Sequence, residues 1–224
     1  MDQSASRGRA LPLRVLIVDD HEYFRRALRE VLESSGLDVV GEAEDAAAAV
    51  ALTAETAPDV ALMDINMPGP SGIDATRRIR RTSPGTQVLM LTVSTESQTI
   101  MDAMMAGACG YLLKNAGGDQ ILTAINAAAA GESPLSPRIA STLIERVRES
   151  APPARPRSPD PPSVTSRERE VLRLIVEGKE NSEIATELVI SPETVKTHVS
   201  SILEKLGADN RVQAAVKAVR AGLV

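Results

Sequence analysis

The sequence predicts a doubly wound α/β domain of five parallel strands, followed by a small all-α domain of four helices. Three observations predict it. Short aliphatic runs alternate regularly with helical patterns from Arg14 to Ala130. A cluster of prolines (Pro152, Pro153, Pro156, Pro159, Pro161 and Pro162) then interrupts the chain. Beyond it only helical periodicity remains. Strands that alternate with helices form a parallel sheet covered on both faces. Ligands of such sheets sit beyond the carboxyl ends of the strands.

The elements follow in order. The run Val15-Leu16-Ile17-Val18 reads as the first strand and ends at two acids. Residues 37–43, 60–63, 88–91 and 111–113 supply four more strands. Helical spacing covers 23–33, 45–56, 72–81, 96–106 and 119–130. Pro68-Gly69 suits a tight turn, and Gly107 suits a left-handed helix end. Residues 136–149 read as one further helix. The expected organisation is a disordered extension over 1–13, an α/β domain over 14–131 and a linker helix over 132–150. A proline-rich flexible linker over 151–163 and a helical domain over 164–224 complete it. Proline at that density forms neither helix nor central strand.

Composition narrows the function classes. Phe24, Tyr23 and Tyr111 are the only aromatic residues, so stacking of unpaired bases is not expected. Cys109 is the only cysteine, which excludes an intrachain disulfide and fits a reducing cytoplasm. Its Ala/Gly surroundings suit a small buried filler. No run approaches the length of a membrane span, and the N-terminal stretch lacks the apolar core of a signal peptide. The net charge of −5 is unevenly spread. Residues 1–150 hold 14 Lys/Arg against 20 Asp/Glu, whereas residues 164–224 hold nine of each sign. Contact with nucleic acid therefore depends on local placement of charge.

Asp19 and Asp20 close the first predicted strand, and Asp64 closes the third. A parallel sheet brings these ends to one edge. Carboxylates that close repel unless a cation neutralises them, and an all-oxygen set favours a hard ion such as Mg²⁺. Thr92 ends the fourth strand and offers a hydroxyl; Lys114 ends the fifth and offers a point charge. Nucleophile, divalent ion, hydroxyl and ammonium together suit in-line phosphoryl transfer. An aspartyl-nucleophile phosphatase would want a second acid two residues after Asp64, where Asn66 stands.

The strings VLIVDDHEYFRRAL, ALMDINMPGPSGID, LTVS and GACGYLLKNA make residues 14–130 resemble receiver domains of the NarL/FixJ group. The resemblance implies the flavodoxin-like (CheY-like) fold, with Asp64 as phosphoacceptor and a sensor histidine kinase as donor. It implies Mg²⁺ on Asp19, Asp20, Asp64 and the main-chain carbonyl of Asn66. Thr92 and Lys114 would contact the phosphoryl group, and Tyr111 matches the aromatic switch position. Asn66 and Ser94 match positions that tune hydrolysis. His21 is expected at a helix start or on the surface, not as a ligand. Such a receiver assists its own phosphorylation and dephosphorylation and is not otherwise an enzyme.

In the last region Thr165 and Glu168 form a capping box, and Gly178 ends that helix. A short helix over 182–187 follows. Ser191 caps the next helix, with Pro192 at its first position. Val195, Val199, Ile202 and Leu206 form its buried stripe, leaving Lys196, Thr197 and Ser200 on the other side. This is the pattern of a helix-turn-helix whose second helix enters the DNA major groove. The string TSREREVLRLIVEGKENSEIATELVISPETVKTHVSSILEKLG resembles the LuxR-type DNA-binding domain over nearly its whole length. The resemblance implies base contacts from Lys196, Thr197 and Ser200. His198, Arg167 and Lys205 would touch phosphates or support the fold. Asp209 is the expected cap of a last helix that carries Val212, Ala215, Val216 and Val219 on one face. The resemblance implies that Val212, Val216 and Val219 form a homodimer contact. The expected function is a phosphorylation-dependent transcription regulator.

Overall fold

The computed structural model describes residues 12–135, residue 139 and residues 164–224. The expected N-terminal extension, apart from residues 12 and 13, lies outside the described residues. So do the proline-rich linker and, apart from residues 132–135 and 139, the linker helix. Among the described residues no helix is long and apolar enough to cross a membrane.

Five strands, β1 (Arg14–Val18), β2 (Asp38–Ala43), β3 (Val60–Met63), β4 (Gln87–Thr92) and β5 (Gly110–Leu113), form one parallel sheet in the order β2-β1-β3-β4-β5. Helices α1 (Glu22–Ser34), α2 (Ala46–Thr56), α3 (Gly72–Thr82), α4 (Ser97–Met105) and α5 (Gly118–Ala129) cross over between and after them. Side chains alternate along each strand and so build two cores. Leu16, Val18, Ala61, Met63, Val88 and Met90 pack on the α2, α3 and α4 side. Val15, Ile17, Val60, Leu62, Leu89 and Leu91 pack with Leu28 and Leu32 of α1 and Ile121 and Ile125 of α5. Each such side chain contributes roughly 1.5–3 kcal/mol on leaving water. Both faces are covered, which explains why the strands read as continuous apolar runs.

The register determines what meets at the carboxyl edge. Val18 pairs with Met63, so Asp19 and Asp64 emerge side by side. Thr92 pairs with Leu113, and the Lys114 amide donates to the Thr92 carbonyl at 2.9 Å. At the outer edge of the sheet the Tyr111 amide donates to the Pro134 carbonyl at 3.0 Å, and Tyr111 forms a bridge with Leu135. Gly110 permits this approach, because a Cβ there would lie 2.6 Å from the Pro134 carbonyl oxygen.

The second domain has helices α6 (Ser166–Val176), α7 (Asn181–Leu188), α8 (Pro192–Leu206) and α9 (Arg211–Arg220). Val171, Leu172, Leu174, Ile184, Val195 and Ile202 centre its core. The capping box on α6 is present: Thr165 Oγ1 accepts from the Glu168 amide at 3.2 Å, and Glu168 accepts from the Thr165 amide at 2.8 Å. Ser191 caps α8 by accepting from the Thr194 amide. The last helix corrects the expectation from sequence. Its N-cap is Asn210, whose side chain accepts from the Gln213 amide at 2.8 Å, and not Asp209. Asn210 is buried, and its amide supplies donors that a carboxylate lacks.

Between α7 and α8, Val189 adopts φ 53° and is almost fully exposed. A β-branched side chain is strained in this left-handed region, where glycine is at ease. Val189→Gly is expected to raise the thermal midpoint, by about 1 kcal/mol of stability. A melt that falls on substitution would show that the Val189 side chain stabilises the turn through contacts that outweigh this strain.

Candidate functional site

Asp19, Asp20, His21 and Asp64 offer ligand atoms that all lie within 4.8 Å of one another at the carboxyl edge. Asp19 and Asp64 are buried, with only 2% and 3% of their surface exposed. Asp64 Oδ1 accepts from the Ile65 amide at 2.7 Å and from the Asn66 amide at 3.4 Å. Lys114 Nζ reaches Asp64 Oδ2 at 2.7 Å and Asp19 Oδ2 at 2.5 Å. It also stands 4.9 Å from the centre of the Phe24 ring, a cation–π distance. Burial alone would lower the Lys114 ammonium, but hydrogen bonds and charge from Asp19 and Asp64 hold it above its ordinary value.

A divalent ion is not the only cation that makes the cluster tolerable, because Lys114 bridges two of the carboxylates directly. His21 adds to it: the residue starts α1 without a side-chain cap, and its Nδ1 lies 2.6 Å from Asp20 Oδ1. The His21 amide donates to Asp19 Oδ1 at 3.0 Å. One ammonium against three carboxylates still leaves negative charge in excess. The all-oxygen donor set fits a hard divalent ion.

The loop after Asp64 is closed tightly. The Gly72 amide donates to the Ile65 carbonyl at 3.0 Å. A Cβ on Gly72 would fall 1.8 Å from the Asp64 carbonyl oxygen, so only glycine lets α3 begin against the site. Asn66 is exposed on this loop, and Gly69 turns it with φ 80°.

Thr92 is fully buried at the end of β4, and its hydroxyl accepts from the Ser94 amide at 3.3 Å. Tyr111 is also fully buried, and its hydroxyl donates to the Ser94 carbonyl at 3.0 Å. Burial pushes the Tyr111 phenol up to about 12, so it keeps its proton. Both side chains thus engage one residue, Ser94, just before α4. Sequence spacing alone did not expose this joint. Cys109 is a buried filler as expected, its thiol pushed up to about 12 by desolvation. Gly107 takes φ 104°, where α4 hands over to β5.

In the helical domain Thr197 and Ser200 are exposed on α8, and Lys196 and His198 are half-buried. The Lys196 ammonium lies 3.1 Å from Glu132, just after the first domain. Exposed pairs of this kind contribute little to stability and are screened by salt. Two other basic residues serve the fold. Arg167 donates to the Leu188 carbonyl at 2.8 Å, and Lys205 pairs with the buried Glu168 at 2.7 Å. The face that carries Val212, Val216 and Val219 is not free. Val212 and Val216 belong to the same core cluster as Ile100, Ala103 and Met104 of α4, Val219 packs against that cluster, and α9 packs on α4.

A doubly wound domain with an acidic pocket at its carboxyl edge, followed by a helix-turn-helix, defines the two-domain response regulators. Comparison with known proteins agrees. Residues 15–126 match the response regulator receiver domain, and residues 162–218 match the luxR family of bacterial regulatory proteins. The chain belongs to the two-component response regulators that carry a LuxR-type DNA-binding domain and act as transcription regulators. It is 43% identical to the transcriptional regulatory protein LiaR of Bacillus subtilis, over 95% of this chain and 99% of LiaR. The response regulator ChrA of a heme-sensing two-component system is similar in structure, with TM-score 0.52 and 36% identity over 96% of this chain and all of that one. A structure of two RcsB dimers bound to two parallel DNAs has TM-score 0.55 and 25% identity, covering 93% of this chain and 98% of that one.

Proposed function

We propose that Asp64 accepts a phosphoryl group from a sensor histidine kinase in the cytoplasm, and that this switches dimerisation and sequence-specific DNA binding. The observation that carries the reading is a buried Asp64 carboxylate held between Lys114 and backbone amides, beside Asp19 and Asp20. An oxygen of Asp64 attacks the phosphorus in line. The P–N bond to the kinase imidazole breaks, and its electron pair returns to the ring nitrogen. Asp19, Asp20, Asp64 and the Asn66 carbonyl would hold Mg²⁺, which when bound would supply positive charge for the phosphoryl oxygens. Lys114 stays beside Asp64 and offsets the charge that the carboxylate gains. The receiver thus assists its own phosphorylation and later hydrolysis, with Asn66 and Ser94 beside the water's path.

The Thr92 hydroxyl then leaves the Ser94 amide and donates to a phosphoryl oxygen. Tyr111 follows, because its hydroxyl bonds to the same residue. The two arrangements form a two-state element that phosphorylation biases. In the open chain Lys196, Thr197 and Ser200 of α8 meet base edges in the major groove, with His198 beside the phosphates. The arrangement of RcsB as dimers on DNA supports a homodimer here, on paired half-sites.

A gel-shift titration with a phosphodonor and Mg²⁺ tests the output. Wild type is expected to bind its operator more tightly with the phosphodonor than without. Lys196→Ala is expected to weaken that binding by about 1–3 kcal/mol, because it removes a base contact. Equal affinity of Lys196→Ala and wild type would remove Lys196 from the reading surface.

A further inference from the structure

We propose that Phe24 is a positioning residue for phosphoryl transfer: its ring face keeps the Lys114 ammonium in the site while the oxygens around that ammonium change. The proposal rests on the Asp64 reading above, and it adds a residue that touches no reacting atom. Lys114 Nζ stands 4.9 Å from the centre of the Phe24 ring, and its side chain is only 13% exposed. The ammonium has therefore given up most of its water. In exchange it has Asp64 Oδ2 at 2.7 Å, Asp19 Oδ2 at 2.5 Å and the aromatic face. An aromatic ring carries negative potential on its face, which attracts a cation, and more strongly where water is excluded.

These partners differ in what transfer does to them. An oxygen of Asp64 forms the bond to phosphorus, so the carboxylate ceases to be an anion and the negative charge then sits on the phosphoryl oxygens. Asp19 belongs to the oxygen set that fits a divalent ion, which is a second claim on its charge. The ring takes part in no bond and presents the same potential before and after. A compact ammonium on a flexible four-carbon stem would otherwise swing towards solvent as its anion changes. Phe24 thus supplies a fixed seat from which Lys114 turns from the carboxylate to the phosphoryl group.

Local structure makes the seat firm. Phe24 lies in the first turn of α1, where its amide donates to the His21 carbonyl at 3.1 Å, and it packs against the core that holds Leu28 and Ile121. The next residue, Arg25, donates from Nη1 to the Asp19 carbonyl at 2.6 Å and from Nε to Glu42 at 3.2 Å. This ties the first turn of α1 to the strand end that carries the site. Of the two adjacent aromatic residues, Tyr23 is 86% exposed, whereas Phe24 is half-buried beside Lys114. An aliphatic side chain would fill the same corner; an aromatic one also attracts the ammonium.

Phe24 is the only phenylalanine in the chain, so expression on fluorinated phenylalanines alters the ring at this position alone. Fluorine withdraws electrons from the face with little change of shape. The rate at which acetyl phosphate labels the full chain, with Mg²⁺ present, is expected to fall stepwise through mono-, di- and trifluorophenylalanine, ending about threefold to tenfold below wild type. Phe24→Leu, which keeps apolar bulk, should fall as far, and Phe24→Tyr, which restores the face, should recover most of the rate. In the unphosphorylated chain the ring current should move the Lys114 ε-methylene protons upfield in the NMR spectrum, and Phe24→Leu should abolish that displacement. A rate that stays flat across the fluorinated series overturns the proposal and leaves Phe24 a packing residue, even if Phe24→Leu is slow. A Lys114 signal indifferent to Phe24→Leu overturns it as well. Wild type that takes no label overturns the Asp64 reading; wild type that labels normally, with a flat series, overturns this one alone.

Discussion

Asp64→Ala should take labelling by a phosphohistidine donor or a small-molecule phosphodonor to background, a loss larger than from any other single substitution in the receiver. No other carboxylate in the site combines burial, a lysine on one oxygen and backbone amides on the other. Asp19 shares Lys114 but points its second oxygen at the His21 amide, and Asp20 carries the His21 ring. Asp64→Asn separates chemistry from packing. It keeps the shape of the side chain and removes the nucleophile, so it should fold like wild type and still go unlabelled. Labelling at the full level in either variant would place the phosphoacceptor elsewhere.

A second large effect belongs to stability. Glu168 is buried at the start of α6 and accepts from the Thr165 amide, from Ser201 Oγ at 2.6 Å and from Lys205 Nζ. These bonds, Lys205 first and Ser201 next, hold its carboxyl at about 2 against an ordinary 4.5. A carboxylate lowered on folding contributes stability that is complete above its unfolded value. That stability is lost as pH falls through the folded value. Glu168→Ala should therefore cost about 2–3 kcal/mol at pH 7, with three donors left without their acceptor. For a domain of this size that is about 10 °C or more in melting temperature. The gap to wild type should close as pH falls from 4.5 towards 2. A gap that keeps its full size at the acid end would show that Glu168 acts through packing and not through charge.

The sequence carried local and periodic information well. Runs such as Val15 to Val18 announced strands, and the acids behind them announced the site, because strand direction in a doubly wound sheet places those ends together. The capping box of Thr165 and Glu168 was equally visible, being confined to one turn. What stayed hidden was long-range. Lys205 lies 37 positions from Glu168, and Phe24 lies beneath Lys114 with no spacing rule to pair them. Asp209 and Asn210 are both good caps by local preference, and only the α4 carbonyls decide for the amide. The valines of α9 gave a clear stripe, but a stripe does not state what covers it.

The bridge of Leu135 onto Tyr111 has a colloidal consequence. An uncovered β5 would offer a row of free amides and carbonyls, a template onto which another chain's strand could add. The return of Pro134 and Leu135 occupies part of that row, and the ring of Pro134 contributes no donor to extend it. Concentrated solutions of the protein should therefore resist strand exchange and fibre growth from this margin. Lengthening or loosening the segment after α5 would be the change that invites them.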